Sequence, residues 1–152
     1  MNVKNLVVAV LVSAFLSACN ESTGSNSNLS GEQRILNDNL ALWQRSGISS
    51  YQYTSSKSCF CAPDEPIVVI VVSGQVSEAF RTPSGIYLSA QELASVATIE
   101  GMFSKAQVAI NQRVARLTVV YNASLGYPES ISIDGNQAIA DDEITYNVRN
   151  FQ

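Results

Sequence analysis

An unbroken run of β-branched residues, Ile67-Val68-Val69-Ile70-Val71-Val72, constrains the fold more than any other stretch of the chain. β-branched side chains pack well in strands, and an apolar run this short is too short for most helices. Apolar residues that do not alternate with polar ones are typical of a strand covered on both faces. The run therefore predicts a buried central strand.

The sequence around this run predicts further strands. Ser73-Gly74 favours a tight turn, after which residues 75–80 pair back as a hairpin. Alternation of apolar and polar residues predicts four other strands. They lie at 51–55, at 113–121, around Ile131 and Ile133, and from Ile144 to Val148.

Two segments have apolar residues at helical spacing. Ser30 begins a capping-box pattern, which predicts a first helix at about 31–45 with Trp43 as a core anchor. Thr98 precedes a second apolar stripe, which predicts a helix from there to about Ile110.

The order of elements, helix and three strands followed by helix and three strands, defines the fold class. It predicts a single α+β domain over residues 31–152, with an antiparallel sheet of about six strands and two main helices packed on one face. The order also suggests a tandem α-β-β-β repeat. Two helices cover only part of six strands, so we expect the other face to be partly solvated or available to a partner.

The first 18 residues have the features of a secretory signal peptide. Lys4 precedes an apolar run over residues 6–15, whereas a transmembrane helix needs about twenty residues. Leu16-Ser17-Ala18-Cys19 resembles the lipobox of bacterial lipoproteins. The resemblance implies cleavage after Ala18, a diacylglycerol on the Cys19 sulfur and a further acyl chain, such as palmitate, on its amino group. The alternative is a cysteine that happens to end an ordinary signal peptide.

Residues 19–30 are rich in Ser, Asn and Gly, which predicts a lipidated, flexible tether. Two or three acyl chains anchor a protein stably. We therefore expect the chain in the cell envelope, with membrane lipid as a partner through acylated Cys19. Asn20 lacks the carboxylate of the inner-membrane retention signal, which favours the outer membrane, facing the periplasm, if the host is Gram-negative.

Composition argues against several functions. Nine basic residues against thirteen acidic ones give no electrostatic footprint for nucleic acid. The chain has no histidine, which removes Ser-His-Asp and Cys-His mechanisms and the commonest metal ligand. We therefore predict no catalytic residue, no metal site and no cofactor.

Cys59-Phe60-Cys61 is the main candidate for chemistry in the domain. In an extended strand these cysteines would have Cα atoms about 6.6 Å apart, near the upper limit for a disulfide, and a turn would bring them closer. With Cys19 taken by lipid, the pair forms a local disulfide, acts as a redox pair, binds a soft metal such as copper(I), or pairs between molecules. We favour the local disulfide.

An acidic segment, Asp134-Gly135-Asn136 with Asp141-Asp142-Glu143, lies between the last two predicted strands. Carboxylates in a loop can bind calcium, but the spacing does not match an EF-hand. We expect a solvated hairpin loop rather than a calcium site or a catalytic carboxylate pair.

A series of residues resembles an uncharacterised family of bacterial secreted proteins and lipoproteins, known as a domain of unknown function. The resemblance covers most of residues 35–151 and implies fold and compartment, but no activity. It rests on Tyr51, Tyr53, Cys59-Phe60-Cys61, Pro63, the strand ending at Gly74, Phe103, Tyr121, Gly126-Tyr127-Pro128, Ile131, Ile133-Asp134, Asp142-Glu143 and Tyr146. Asn122 departs from it, because the family often has Asp there.

The Gly-Tyr-Pro segment predicts a rigid hairpin connection. Gly126 is suited to a positive φ and Pro128 fixes the start of the next strand. We expect Tyr127 to be a surface residue and, with Phe60, a contact for a partner.

Three functions are compatible with the sequence. The first is a non-enzymatic binding or envelope-assembly module with a protein partner in the envelope. The second is a thiol-disulfide or soft-metal-handling protein that uses Cys59 and Cys61. The third is an inhibitor-like protein that occupies the cleft of another protein.

Overall fold

The computed structural model describes residues 30–139 and 141–152. The predictions for the signal peptide, for Cys19 and for residues 20–29 of the tether lie outside the described residues. The elements are α1 (Gly31–Ser46), β1 (Tyr51–Cys59), β2 (Ile67–Val72), β3 (Gln75–Arg81), α2 (Ala90–Leu93), α3 (Ile99–Gln112), β4 (Arg116–Tyr121), β5 (Pro128–Asp134) and β6 (Ile144–Arg149).

The six strands form one antiparallel sheet in the order β3-β2-β1-β6-β5-β4. Strand β2 lies between β3 and β1, so the β-branched run occupies an interior position, as predicted. The α+β class, the six strands and the two main helices are confirmed. Only one side of β2 is buried, however, because Val69 and Val71 lie in the core while Val72 is half exposed.

The long helices α1 and α3 pack on the same face of the sheet and enclose one core. From the sheet, Tyr53, Val69 and Ile131 are almost completely covered. From the helices, Trp43 and Ile99 are buried against them. Trp43 is a core residue, as its position on the apolar stripe predicted.

The α-β-β-β order occurs twice along the chain, with the short α2 added before α3. The sheet does not place the two halves equivalently. Strand β1, which follows α1, lies in the interior of the sheet, whereas β4, which follows α3, lies at an edge. Across the sheet, the three strands of each half follow the same order, but the strands of the second half run in the opposite direction to their counterparts. A rotation that relates two such halves would place their helices on opposite faces of the sheet. Because α1 and α3 lie on the same face, the two halves are not related by symmetry.

Two element boundaries differ from the prediction. Strand β1 continues to Cys59, four residues beyond the predicted end, because its polar second half pairs with β6 from Thr54 onward. Strand β4 begins at Arg116 rather than at Arg113, since Arg113 ends α3 in a left-handed conformation with φ 52°. Pairing with β6 therefore sets the end of β1, and the end of α3 sets the start of β4.

None of the helices in the described part of the chain packs on the second face of the sheet. Strand register places the even-numbered residues of β1 and β5 and the odd-numbered residues of β6 on this open face. Most are small and polar: Thr54, Ser56, Ser58, Ser130, Ser132, Thr145 and Asn147. Apolar side chains from β2, such as Val68 and Ile70, continue this face on one side.

A candidate binding cleft beside the Cys59–Cys61 loop

The helices leave the C-terminal half of β1, from Ser55 to Lys57, partly uncovered. A cleft of about 270 Å³ opens there between the sheet, the loop after β1, α2 and the start of α3. Its lining is mixed in character: Ser55, Ser56, Lys57, Asp64, Glu65, Ile67, Arg81, Leu88, Glu92, Ser95, Val96, Ala97, Met102, Lys105 and Tyr146. The cleft exists because two helices cannot cover six strands.

The rim formed by α2 is fixed by a capping box. The Ser89 hydroxyl accepts from the Glu92 backbone N–H, and the Glu92 carboxylate accepts from the Ser89 backbone N–H at 2.8 Å. The same carboxylate accepts from Arg81 at 2.6 Å. These bonds hold the pKa of Glu92 below its ordinary value. The bond from the Ser89 backbone N–H has the largest effect, followed by those from the Ser89 hydroxyl and from Arg81. Glu92 therefore ties α2 to β3 at the edge of the cleft.

The other cations of the cleft also have partners. Lys57 Nζ lies 3.4 Å from Asp64 in the loop after β1, and both side chains are exposed. Lys105 Nζ lies 4.6 Å from the centre of the Tyr146 ring, a cation–π contact between α3 and β6. Basic and acidic side chains lie side by side in the cleft. The cleft is therefore suited to a partner surface that carries charges of both signs, and not to a ligand with a single strong charge.

The Cys59–Cys61 loop lies next to this cleft. Cys59 is the last residue of β1, and its sulfur makes a disulfide-like contact with Cys61. The two Cα atoms are 5.2 Å apart, closer than in a continuing strand, because the chain turns after Cys59. Between them, Phe60 is 81% exposed. The contact is the one that the local-disulfide alternative predicts.

Tyr127 is not on the surface, and this prediction is wrong. Its side chain is only 7% exposed, stacked on Phe151 at 4.6 Å between ring centres and packed edge-on against Trp43. The cause is Gly126, which lies so close beneath α1 that a Cβ atom would be 2.4 Å from the Asn39 carbonyl oxygen. The turn is pinned under the helix, and no pattern in the sequence signalled that contact.

The rest of the Gly-Tyr-Pro prediction is confirmed. Gly126 has φ 78°, and β5 begins at Pro128. Burial, followed by the nearby Glu129, raises the pKa of Tyr127. The segment therefore belongs to the core under α1 and lies apart from the cleft.

Comparison with known proteins identifies the family of this domain. A family model described as a family of unknown function, DUF6174, matches residues 35–152. That range is more than half of the chain. The chain belongs to the DUF6174 family. No curated protein matches the chain, and no solved structure matches it.

The DUF6174 match includes all six strands, α2, α3 and most of α1, so the cleft and the Cys59–Cys61 loop both belong to the family domain. Among the described residues of this DUF6174 member, none of the helices combines the length and apolar character needed to span a membrane.

Asn122 organises the turn between β4 and β5 of this DUF6174 domain. Its Oδ1 accepts from the backbone N–H groups of Ser124 and Leu125, at 3.1 and 2.9 Å. Its Nδ2 donates to Glu129 at 2.9 Å. An aspartate would keep the two accepted bonds but would lose the donated one, so the amide fits this turn because Glu129 is beside it.

The acidic loop forms a turn at its first end. Asn136 Oδ1 accepts from the Ala138 N–H, and Asp142 folds over Gly135, with its Oδ2 2.8 Å from where a Gly135 Cβ would lie. One oxygen each of Asp134 and Asp142 is buried, and the described residues give neither a hydrogen-bond partner. Within residues 30–139 and 141–152, no three acidic, Cys or His side chains converge in an arrangement that would hold a metal ion.

Sequence reasoning missed Glu100. Its carboxylate, in the first turn of α3, accepts from the Trp43 indole at 2.8 Å and from the Tyr51 hydroxyl at 3.3 Å. The Tyr51 hydroxyl in turn accepts from the Ile99 N–H at 2.9 Å. An acid in a first helical turn is common for electrostatic reasons, so its sequence position did not reveal the second role.

Proposed function

We propose that this chain is a lipid-anchored cell-envelope lipoprotein whose domain binds a protein partner through Phe60 and the adjoining cleft, without enzymatic activity. The observation that carries the binding proposal is the presentation of Phe60. It is 81% exposed and lies between two cysteines whose sulfur atoms are in contact. Phe60 is the most exposed large apolar side chain among the described residues.

Presentation of this kind favours association. Aromatic residues dominate the energy of many protein interfaces when they enter a pocket on the partner. Holding the loop fixed before binding lowers the entropy that association costs. The cleft beside it adds a polar rim, with Lys57 and Asp64 close to the loop and Arg81 and Glu92 across from it. An aromatic centre with a polar rim is the usual organisation of a specific interface.

The anchoring part of the proposal rests on Leu16-Ser17-Ala18-Cys19. Acylated Cys19 would hold the domain at the membrane, and in a Gram-negative host the outer membrane facing the periplasm is the proposed location. Cys19→Ala should move the protein from the membrane fraction to the soluble fraction on cell fractionation. Retention of this variant in the membrane fraction would contradict the anchor.

Site-specific photo-cross-linking tests the binding surface. A photoreactive phenylalanine analogue in place of Phe60 should capture one protein partner in cells, and Phe60→Ala should lower the affinity of the purified pair. Tyr87 supplies the matched control, since it is also an exposed aromatic, at 65%, but lies on the open-face side of β3. If substitution of Tyr87 weakens the pair as much as substitution of Phe60, the proposed surface is wrong.

The captured partner also separates the binding module from the inhibitor-like alternative. An inhibitor would reduce the activity of its partner at saturating concentration. An assembly or binding module would leave that activity unchanged.

A second candidate, thiol-disulfide or soft-metal handling, is favoured by one observation. The Cys59 and Cys61 sulfur atoms are in contact in a loop whose other residues, from Phe60 to Pro66, are exposed. In the redox case the dithiol would pass two electrons and two protons to a substrate disulfide. A reduction potential below about −300 mV would mark a structural bond and reject that role, whereas a much more oxidising value would support it. Copper(I) uptake by the reduced protein, lost in Cys59→Ser, would favour the metal role.

A further inference from the structure

The two edges of the sheet differ in how their backbone groups are covered. Along β3, the segment after the strand folds back and bonds to it. Leu88 N–H donates to the Ala79 carbonyl at 2.9 Å, Arg81 N–H donates to the Ile86 carbonyl at 2.8 Å, and Phe80 bridges to Tyr87. This edge is protected from pairing with another chain.

The edge formed by β4 has no such cover among the described residues. Ala115 N–H donates to the Gly135 carbonyl of the β5 side, so the odd-numbered residues of β4 direct their backbone groups toward β5. By the alternation of an antiparallel ladder, Arg116, Thr118 and Val120 direct theirs outward. The described part of the chain supplies no backbone partner for these outward groups.

Apolar side chains accompany this open edge on both faces. On the helix-bearing face, a groove of about 230 Å³ runs between β4 and the helices, lined in part by Ile35, Leu117, Val119 and Tyr121. Ile35 is 54% exposed, and on the opposite face Val120 is 50% exposed. An edge strand with free backbone groups and apolar flanks is suited to strand addition.

We propose that β4 pairs antiparallel with β4 of a second copy of this chain, joining the two sheets into one. The apolar pattern is self-complementary in a register centred on Val119. There Val119 meets Val119 of the second copy, Leu117 meets Tyr121, and Thr118 meets Val120. Opposed residues of an antiparallel pair lie on the same face, so these contacts bury the apolar flanks.

The charges at the two ends of the edge favour the same arrangement. Arg116 lies at the start of β4 and is exposed, and Glu129 lies beside its far end, bonded to Asn122. Antiparallel pairing about a two-fold axis sets the basic end of each copy against the acidic end of the other. Arg116 then lies beside the β4–β5 turn of the second copy, where the Asn122 backbone is already bonded to Tyr127 and Gly126, and its side chain reaches toward Glu129. This contact occurs twice per dimer, and no arginine faces an arginine.

Photo-cross-linking of the full chain in cells tests the pairing. A photoreactive phenylalanine analogue replacing Val120 should give a species of twice the mass, with the cross-linked peptide mapping to β4 of a second copy. The same analogue replacing Val72 is the matched control, because Val72 is also a 50% exposed valine but lies on the interior strand β2. Absence of the doubled species, or cross-linking of position 120 to a different protein or to residues 19–29, would overturn the proposal.

Charge reversal supplies a second test that does not depend on apolar contact. Arg116→Glu and Glu129→Arg, each alone, should lower the dimer association constant about tenfold or more, since like charges then face each other. The Arg116→Glu/Glu129→Arg double variant should recover it. Circular dichroism verifies that each variant is folded. Failure of the double variant to recover association in folded protein would contradict the proposed register.

Discussion

The indole nitrogen of Trp43 donates a hydrogen bond of 2.8 Å to Glu100, which joins the last turns of α1 to the first turn of α3. The same carboxylate accepts from Tyr51 on β1, so one surface-reaching side chain connects three elements. Both partners, Trp43 and Tyr51, are buried. The Trp43 indole N–H therefore donates its hydrogen bond to Glu100, because the polar groups of buried side chains need a partner.

Glu100→Ala should therefore destabilise the fold. Removal of the acceptor leaves the Trp43 indole N–H without a partner, which costs about 2 kcal/mol of unfolding free energy. Glu32→Ala is the control, because Glu32 is likewise an acid in the first turn of a helix and so accounts for the electrostatic contribution at a helix start. Urea unfolding followed by tryptophan fluorescence measures both. Equal losses in the two variants would show that the hydrogen bond contributes nothing.

Gly126→Ala should be among the most damaging small substitutions. The left-handed conformation at φ 78° costs a residue with a Cβ about 1–2 kcal/mol. The added methyl group would also lie 2.4 Å from the Asn39 carbonyl oxygen of α1, and overpacking of this kind costs about 1–3 kcal/mol more.

Gly85→Ala is the control for the conformational cost, so the difference between the two variants measures the cost of the contact with Asn39. Gly85 also has a positive φ, 71°, but apart from its chain neighbours no atom of the described residues lies within 4 Å of the position that a Cβ would take. The unfolding free energy of Gly126→Ala should therefore fall below that of Gly85→Ala. A Gly85→Ala loss as large as that of Gly126→Ala would mean that the turn moves away from α1 without penalty.

The pH dependence of stability should reflect the buried tyrosines. Burial raises the pKa of Tyr53, and the charges of Tyr51 and Glu100 raise it further; burial also raises the pKa of Tyr121 to about 12. In the unfolded chain these groups titrate at about pH 10. The unfolded state then releases protons that the folded state retains, so the stability is complete below that pH and is lost as the pH rises toward the folded pKa.

Chemical denaturation at pH 8, 9, 10 and 11 tests this expectation. Stability should decline above about pH 10, and Tyr53→Phe should make the decline less steep. Tyr87→Phe, at an exposed position, should leave the slope unchanged. A slope in the Tyr53→Phe variant identical to that of the unmodified protein would exclude Tyr53 as a contributor.

The Cys59–Cys61 contact should contribute little to global stability. Closing so small a loop constrains the unfolded chain weakly, by about 1.6 kcal/mol in the chain-entropy account. Cys59→Ser/Cys61→Ser should therefore lower the unfolding free energy by no more than about 2 kcal/mol. The protein purified without reductant should be lighter than the reduced protein by two hydrogen atoms in intact mass spectrometry. A mass equal to that of the reduced form would show free thiols.

An element of the fold could be predicted from the sequence where a single local pattern determines its structure. The Ile67–Val72 run, the Ser73-Gly74 turn and the apolar stripe after Thr98 each carry their own signal. The extension of β1 to Cys59 could not be predicted, because Ser56, Lys57 and Ser58 lack strand character and are held by pairing with β6.

The site was accessible only in part for the same reason. The Cys59–Cys61 contact joins two cysteines separated by one residue, so the sequence alone pointed to it. The cleft depends on how α2, α3 and four strands meet, and no short pattern encodes that gap. The prediction of a surface position for Tyr127 was wrong because the contact of Gly126 with Asn39 joins residues 87 positions apart in the sequence.

Asn122→Asp should destabilise this protein, although the replaced residue keeps its shape. The new carboxylate would still accept from the Ser124 and Leu125 N–H groups, but it would face Glu129 instead of donating to it. Two like charges in contact raise the pKa of the introduced carboxyl group above its unfolded value. The stability relative to the parent is thus retained at low pH and lost as the pH rises, so the deficit should be larger at pH 7 than at pH 4. Adding Glu129→Gln should restore most of the stability at pH 7, since the glutamine amide can donate to the aspartate. A deficit that is independent of pH, or that persists in the double variant, would show that the amide acts by some means other than its bond to Glu129.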